Sequence, residues 1–420
     1  MVDENKLSNG VLDVSAGSDW VEHKEAPSAS RRRYLLGLGA AVAALAGCSE
    51  GASPAARKGS VRPATSNPNA NQTGEGQVSA SAAFGGFIGT VSPAAGTMFK
   101  TLSGVGAQLF VRDDGEMTMP GDPVFPLPTA TMSDGKTFPV WGLVQQDSGL
   151  GFNGTLITPG PVLEMTEGVS ASVKLTAMMA HTLHWHGMDV PTAVDGDPDT
   201  SGWVGMMPSS RNSPTAKRLG MSFTYIFVAP PAGTYYYHCH VDTVVHMELG
   251  MMGAVVVRPP GGSKTQLYAD GPIFDAEFLW QLHTMDSSWH VPGHIESGPA
   301  QIDYNPDYFL INGVDGAALL ADKTTAIACS VGQTILVRLV NFGFLTAEIW
   351  LGGVMFKVVM SDGRKLARAY ETDTLLMGAG ERYDVLIRTT DAIAVAPEVR
   401  YYNAMGTQVL GKAVTSLTIS

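Results

Sequence analysis

From Phe84 to Gly160 the apolar positions come in short runs broken by Gly, Pro and Asp, a pattern that predicts strands of a β-sandwich. No run keeps a 3.6-residue period long enough for a substantial helix. The pattern returns after Pro259–Ser263: Phe309–Gly313, Ile335–Asn341, Phe356–Gly363 and Gly380–Ile387 each read as a strand ending in turn residues. The prediction is an all-β chain with one sandwich over residues 84–260 and a second over 264–420. Ahead of them, residues 1–29 are polar, acidic and aperiodic and read as disordered, and residues 49–83, rich in Ala, Ser, Gly, Asn and Pro, read as a flexible linker.

Composition agrees with this reading. The chain has 420 residues, 45% hydrophobic and 16% charged, enough to bury two cores, and its 48 Gly and 25 Pro suit a turn-rich fold. A net charge of -12, with no basic cluster beyond the N-terminal arginines, excludes nucleic acid as a natural partner. Three cysteines, at 48, 239 and 329, are too few for a disulfide framework, so each needs its own account. Cys329 lies in an apolar strand and reads as packing, as do most of the 20 methionines.

Two stretches carry chemistry. In Gly233–Met251 a run of aromatics leads into His238, Cys239, His240, His246 and Met251; upstream, His181, His184 and His186 stand before Gly187. A thiolate, imidazoles and a thioether form the donor set that suits an electron-transfer copper. Side chains alternate between the faces of a strand, so parity divides the set. His181 falls with Cys239, His246 and Met251 as a type 1 copper site. The even-numbered His184, His186, His238 and His240 fall on the other face as a second, catalytic copper site. Asp242 and Glu248, beside the ligands, are candidates for proton relay or for orienting imidazoles. His283, His290 and His294 sit in a segment that reads as loop, and are expected at the surface.

The order Phe152–Gly168, His181–Gly187, Asp195–Pro198, Ser222–Phe227, Pro231–His240 and Gly253–Val257 resembles the first cupredoxin domain of the multicopper oxidases, and the second-half strands resemble their second domain. The resemblance implies two consecutive cupredoxin-like Greek-key sandwiches, with the first binding copper and the second copper-free. It implies an oxidoreductase that takes electrons at a type 1 copper from a small-molecule, metal-ion or redox-protein donor. The electrons then pass through His238 and His240 to a second site, of type 2 or type 3 coppers, that reduces dioxygen. One departure matters. Where copper-bearing domains of the family place paired histidines, this chain reads Ala347–Val354 without any, so half of a full cluster's ligands are missing. A homo-oligomer, dimer or trimer, is expected to bring the histidine face to a subunit interface, and in a trimer His283, His290 or His294 would be the neighbour's only imidazoles. Two other readings remain: a two-domain enzyme like the copper nitrite reductases, to which there is a more distant similarity, and a blue-copper carrier without catalysis.

The N-terminus predicts the compartment. Ser30–Leu36 resembles a twin-arginine export signal, the apolar run to Gly47 is too short to span a bilayer, and Leu45–Cys48 resembles a lipobox. Residues 1–48 are therefore expected to be a signal peptide, with the mature chain in the periplasm or cell envelope and its only membrane attachment a lipid on Cys48.

Overall fold

The computed structural model describes residues 96–99, 101–112, 128–145, 158–205, 216–290 and 304–420. The arginine run, Cys48, the start of the first sandwich near Phe84, Met206, Met207 and His294 lie outside the described residues. Among the described residues the chain is nearly all strand, with one short α-helix at Thr243–Glu248.

In the first sandwich, one sheet runs Ser222–Val228, Ser170–Thr176, Val105–Arg112, Gly142–Gln145. Its strands alternate cleanly: Ala171, Val173 and Leu175 are buried while Ser172, Lys174 and Thr176 stand outward. The facing sheet runs Leu102–Ser103, Leu163–Thr166, Met252–Arg258, Gly233–His238, His184–His186. Here alternation is hidden, because Gly233–His238 and Met252–Arg258 are buried throughout. Odd-numbered Tyr235, Tyr237, Val255 and Val257 fill the first core, whereas Tyr236, Met252, Ala254 and Val256 face Leu279, Val340 and Phe342 of the second sandwich. The two faces of this sheet thus open on different surroundings, and this divides the metal donors.

The second sandwich is built on a sheet through Ala276–Met285, Ile335–Asn341, Arg382–Ile387, Phe356–Ser361 and Arg364–Thr372. Against it packs a sheet of Thr374–Met377, Ala347–Trp350, Glu398–Tyr402 and Val409–Val414. Cys329 is buried in their shared core, as its apolar strand predicts. Between the sandwiches lies a buried ionic network. Glu277 accepts from Arg258 (2.7 Å) and Arg338 (2.6 Å), and Arg338 also reaches Thr234 (2.8 Å) and Asp384 (3.4 Å).

Candidate metal centre

The Gly233–His238 strand ends one residue before Cys239, and the chain then turns through the Thr243–Glu248 helix back to Met251. Two backbone bonds close this loop: Cys239 N–H to the Met251 carbonyl (3.1 Å) and Met251 N–H to the His246 carbonyl (2.9 Å). His181 comes from before the His184–His186 strand, fixed by a two-way backbone bridge with Val204 at 3.0 Å. The Cys239 Sγ then lies 3.1 Å from His246 Nδ1 and 3.5 Å from His181 Nδ1. All three donor atoms fall within 4.8 Å of one another, and Cys239, His181, His246 and Met251 are each at most 2% exposed. A thiolate and two imidazole nitrogens converging in a buried pocket fit a copper ion, and Met251, expected as the weak thioether donor, is buried at the end of the same loop. The sequence did not reveal Trp141. Its indole packs at 5.0 Å on the His246 ring and 5.9 Å on the His181 ring, an apolar wall contributed from distant chain. Trp141 carried no signal because it is one apolar residue in an apolar run.

On the opposite face, register pairs His238 with His184 and Tyr236 with His186. His184, His186 and His238 bring one nitrogen each within 4.8 Å of the others. The tautomers follow from the hydrogen bonds, since a carbonyl only accepts. His184 Nδ1–H donates to the Asp195 carbonyl (2.7 Å) and His238 Nδ1–H to the Cys239 carbonyl (2.9 Å), leaving both Nε2 lone pairs for a metal. His186 presents Nδ1, 3.4 Å from His238 Nε2. Burial pushes the His186 pKa down to about 3, helped by the Arg382 charge, and burial also holds His238 well below the usual range and lowers His184. Neutral imidazole is the ligand form, so the group is set to bind metal at neutral pH. Gly196 keeps the support close. It has φ of 83°, and a Cβ there would collide with the Leu183 carbonyl, lifting the Asp195 carbonyl off His184.

The fourth imidazole stands apart. The His240 ring is 4.9 Å from that of His184, but its Nδ1 is 3.8 Å from the Asp197 carboxylate, and it is outside the tight group of three. His186 stacks on Tyr236 at 4.2 Å, and the second sandwich closes over that pair: Arg382 lies over the Tyr236 ring and Phe342 packs against it at 5.2 Å. Part of the face expected at a subunit interface is therefore covered by the chain's own second half.

Two expectations are corrected. His283 and His290 are not at the surface: they are 5% and 2% exposed, and His283 belongs to a strand in which all ten residues are buried. A strand buried on both faces loses the polar alternation that would mark it, so the segment reads as loop. So buried, neither imidazole is available to a neighbouring chain in the trimer arrangement. Glu248 also points away from the histidine face, accepting from Asp286 N–H (2.6 Å) and Tyr304 O–H (2.9 Å).

Comparison with known proteins agrees with this geometry. Two family models, both described as multicopper oxidase, match residues 140–262 and 285–418. The chain is 30% identical to Laccase-7 of Oryza sativa over 248 residues, which is 56% of this chain and 40% of the laccase. It is 28% identical to the multicopper oxidase MmcO of Mycobacterium tuberculosis over 282 residues, 61% of this chain and 51% of that protein. It thus spans about half the length, or less, of these curated relatives. Among solved structures, the blue copper oxidase of Nitrosomonas europaea superposes with a TM-score of 0.54 at 24% identity, over 74% of this chain and 85% of that one. A multi-copper oxidase of Pseudomonas thermotolerans gives 0.51 at 20% identity, over 76% and 65%. These likenesses carry the fold, two cupredoxin-like sandwiches; the two family matches, which together take in more than half of the chain, place it in the multicopper oxidase family.

Proposed function

We propose that the chain is a copper-dependent oxidoreductase of the multicopper oxidase type, oxidising a small-molecule, metal-ion or redox-protein donor and reducing dioxygen. The observation that carries this reading is the adjacency of the two donor groups. Cys239 belongs to one and His238 to the other, so a single peptide unit joins them, and the His238 ring donates to the Cys239 carbonyl itself. Copper bound at these residues would supply one-electron redox chemistry. The protein's part is to hold the donors before metal arrives. The closed loop fixes Cys239 and His246, Trp141 excludes water, and the Asp195 and Cys239 carbonyls lock two imidazole tautomers.

A second reading, a single catalytic copper as in the copper nitrite reductases, is favoured by one observation: among the described residues three imidazoles converge, and the second sandwich adds none. Pairing the open His184 and His240 side with another copy in a homo-oligomer would add donors. Copper per chain, mass in solution and oxygen uptake separate these cases. In the oxidase reading, His184→Ala with His240→Ala lowers oxygen uptake at least 100-fold, because the second group loses a ligand, while the visible absorption of the Cys239 site remains. A wild type that is monomeric, holds one copper and matches the double mutant would leave the electron-carrier reading.

Export by the twin-arginine route and a lipid on Cys48 belong to the same proposal, supported by the sequence signals alone. Cys48→Ala is expected to move the protein from the membrane fraction to the soluble envelope fraction. Wild type found wholly in the soluble fraction would refute the anchor.

A further inference from the structure

Among the described residues the second sandwich supplies no imidazole to the second histidine group, yet one of its side chains is seated against that group. Arg382 is 4% exposed, and its seat is shaped by two glycines. Gly187, the residue after His186, has φ of 76°, and a Cβ there would collide with the Arg382 Nη2. The Gly380 carbonyl accepts from Arg382 Nη1 at 2.7 Å, and a Cβ on Gly380 would lie 3.2 Å from His186 Nε2. The guanidinium also stands 5.8 Å from the centre of the Tyr236 ring, on which His186 stacks.

This charge is only partly answered. Asp362 meets Nη1 at 3.0 Å, but its side chain is 45% exposed, so water screens it. The buried Asp384 is engaged by Arg338 and the Thr234 hydroxyl. The Arg382 Nε is buried without a hydrogen-bond partner among the described residues. On the far side of the group, Asp195 and Asp197 act on His184, whereas at His186 the largest cause of the low pKa after burial is the Arg382 charge. A cation held away from water acts over several ångströms with little screening.

We propose that Arg382 tunes the second metal group from outside its ligand set, its fixed positive charge raising the reduction potential of a copper held by His184, His186 and His238. The inference rests on the copper oxidoreductase reading above. Cu²⁺ carries one more positive charge than Cu⁺, so a neighbouring cation disfavours the oxidised ion more than the reduced one. One electron leaves the Cys239 group and one arrives at the histidine group, on its way to dioxygen. A cation seated against the receiving group, on the opposite face of the sheet from Cys239, favours that direction. The second sandwich thereby acts on the electron path through a charge, with no ligand of its own.

The test is made on the full chain loaded with copper, and its sign separates charge from packing. Arg382→Met keeps the bulk of the side chain and removes the charge. In competition with a chelator, the second group of this variant should hold Cu²⁺ about 10-fold more tightly than that of wild type. Its reduction potential should fall by about 59 mV, a tenfold change in the oxidised-to-reduced ratio for one electron. A residue that only propped up His186 would do the reverse, since its loss would loosen the group and weaken Cu²⁺ binding. Arg382→Lys, which keeps the charge, should restore the wild-type potential. Asp362→Asn removes the screened counter-charge at a position whose left-handed backbone, with φ of 52°, asparagine also adopts. It should raise the potential, a measurement that stands even if Arg382→Met fails to fold. Visible absorption of the Cys239 site should be the same in all four proteins. Unchanged or weaker Cu²⁺ binding in Arg382→Met, or a potential unmoved in Asp362→Asn, overturns the inference and leaves the oxidoreductase reading intact. Wild type that holds no copper at the second group overturns both.

Discussion

Glu277→Ala should lower the unfolding free energy by about 3–5 kcal/mol, the cost of removing one partner from a buried ion pair. Glu277 is fully buried and accepts from Arg258 at 2.7 Å, Arg338 at 2.6 Å and the Thr97 hydroxyl at 2.8 Å. Burial alone would push its pKa up, yet the two guanidiniums outweigh that and hold it below the usual carboxylate range. Without it, two guanidiniums, each at most 1% exposed, lose a shared counter-charge. Asp384 and Glu164 remain, but Asp384 is 3.4 Å from Arg338 and its own pKa is raised by burial, so its compensation is partial. Since domains are typically stable by only about 5–15 kcal/mol, the loss is large. Urea titration followed by tryptophan fluorescence measures it. A change below about 1 kcal/mol would mean that the network contributes nothing net to holding the sandwiches together.

Cys239→Ser should abolish the intense visible absorption of the copper-loaded protein. The thiolate is the one donor whose charge transfer to copper produces such colour, and the remaining imidazoles produce only weak bands. Stability should change much less, because serine is nearly isosteric in a pocket already closed by His181, His246 and Trp141. Met251→Leu should keep the colour and shift the reduction potential, since it would remove only a weak thioether donor. Colourless, copper-loaded wild type would refute a thiolate-bound copper at this position. The two substitutions probe separate links: Glu277 the union of the sandwiches, Cys239 the chemistry that the first sandwich holds.

The division of donors into two groups was legible in the sequence because strand parity is local. His184, Trp185 and His186 point alternately by backbone geometry alone, and so do Tyr236, Tyr237 and His238 on the partner strand. The all-β class was legible for the same reason, from short runs and their turns. Other features of the site were not local. Cys239 meets His181 across 58 residues only because the Val204 bridge and the Cys239–Met251 loop place both at one end of the first core. Trp141, Gly196 and the carbonyls of Asp195 and Cys239 have no signature as supports until packing sets them beside an imidazole.

The sequence by itself determined which residues carry donor chemistry and which face of a strand each takes, because residue type and the two-residue repeat are properties of the chain. The tertiary structure alone decided the rest. It held His240 at the rim, laid Arg382 and Phe342 against the Tyr236–His186 pair, and buried His283 and His290 with Glu248. The first of these depends on the Asp197 turn beside the histidine strands, and the other two on how the two sandwiches dock. Docking is set by contacts between residues far apart in the chain, and a strand buried on both faces shows no polar alternation to mark where those contacts will fall.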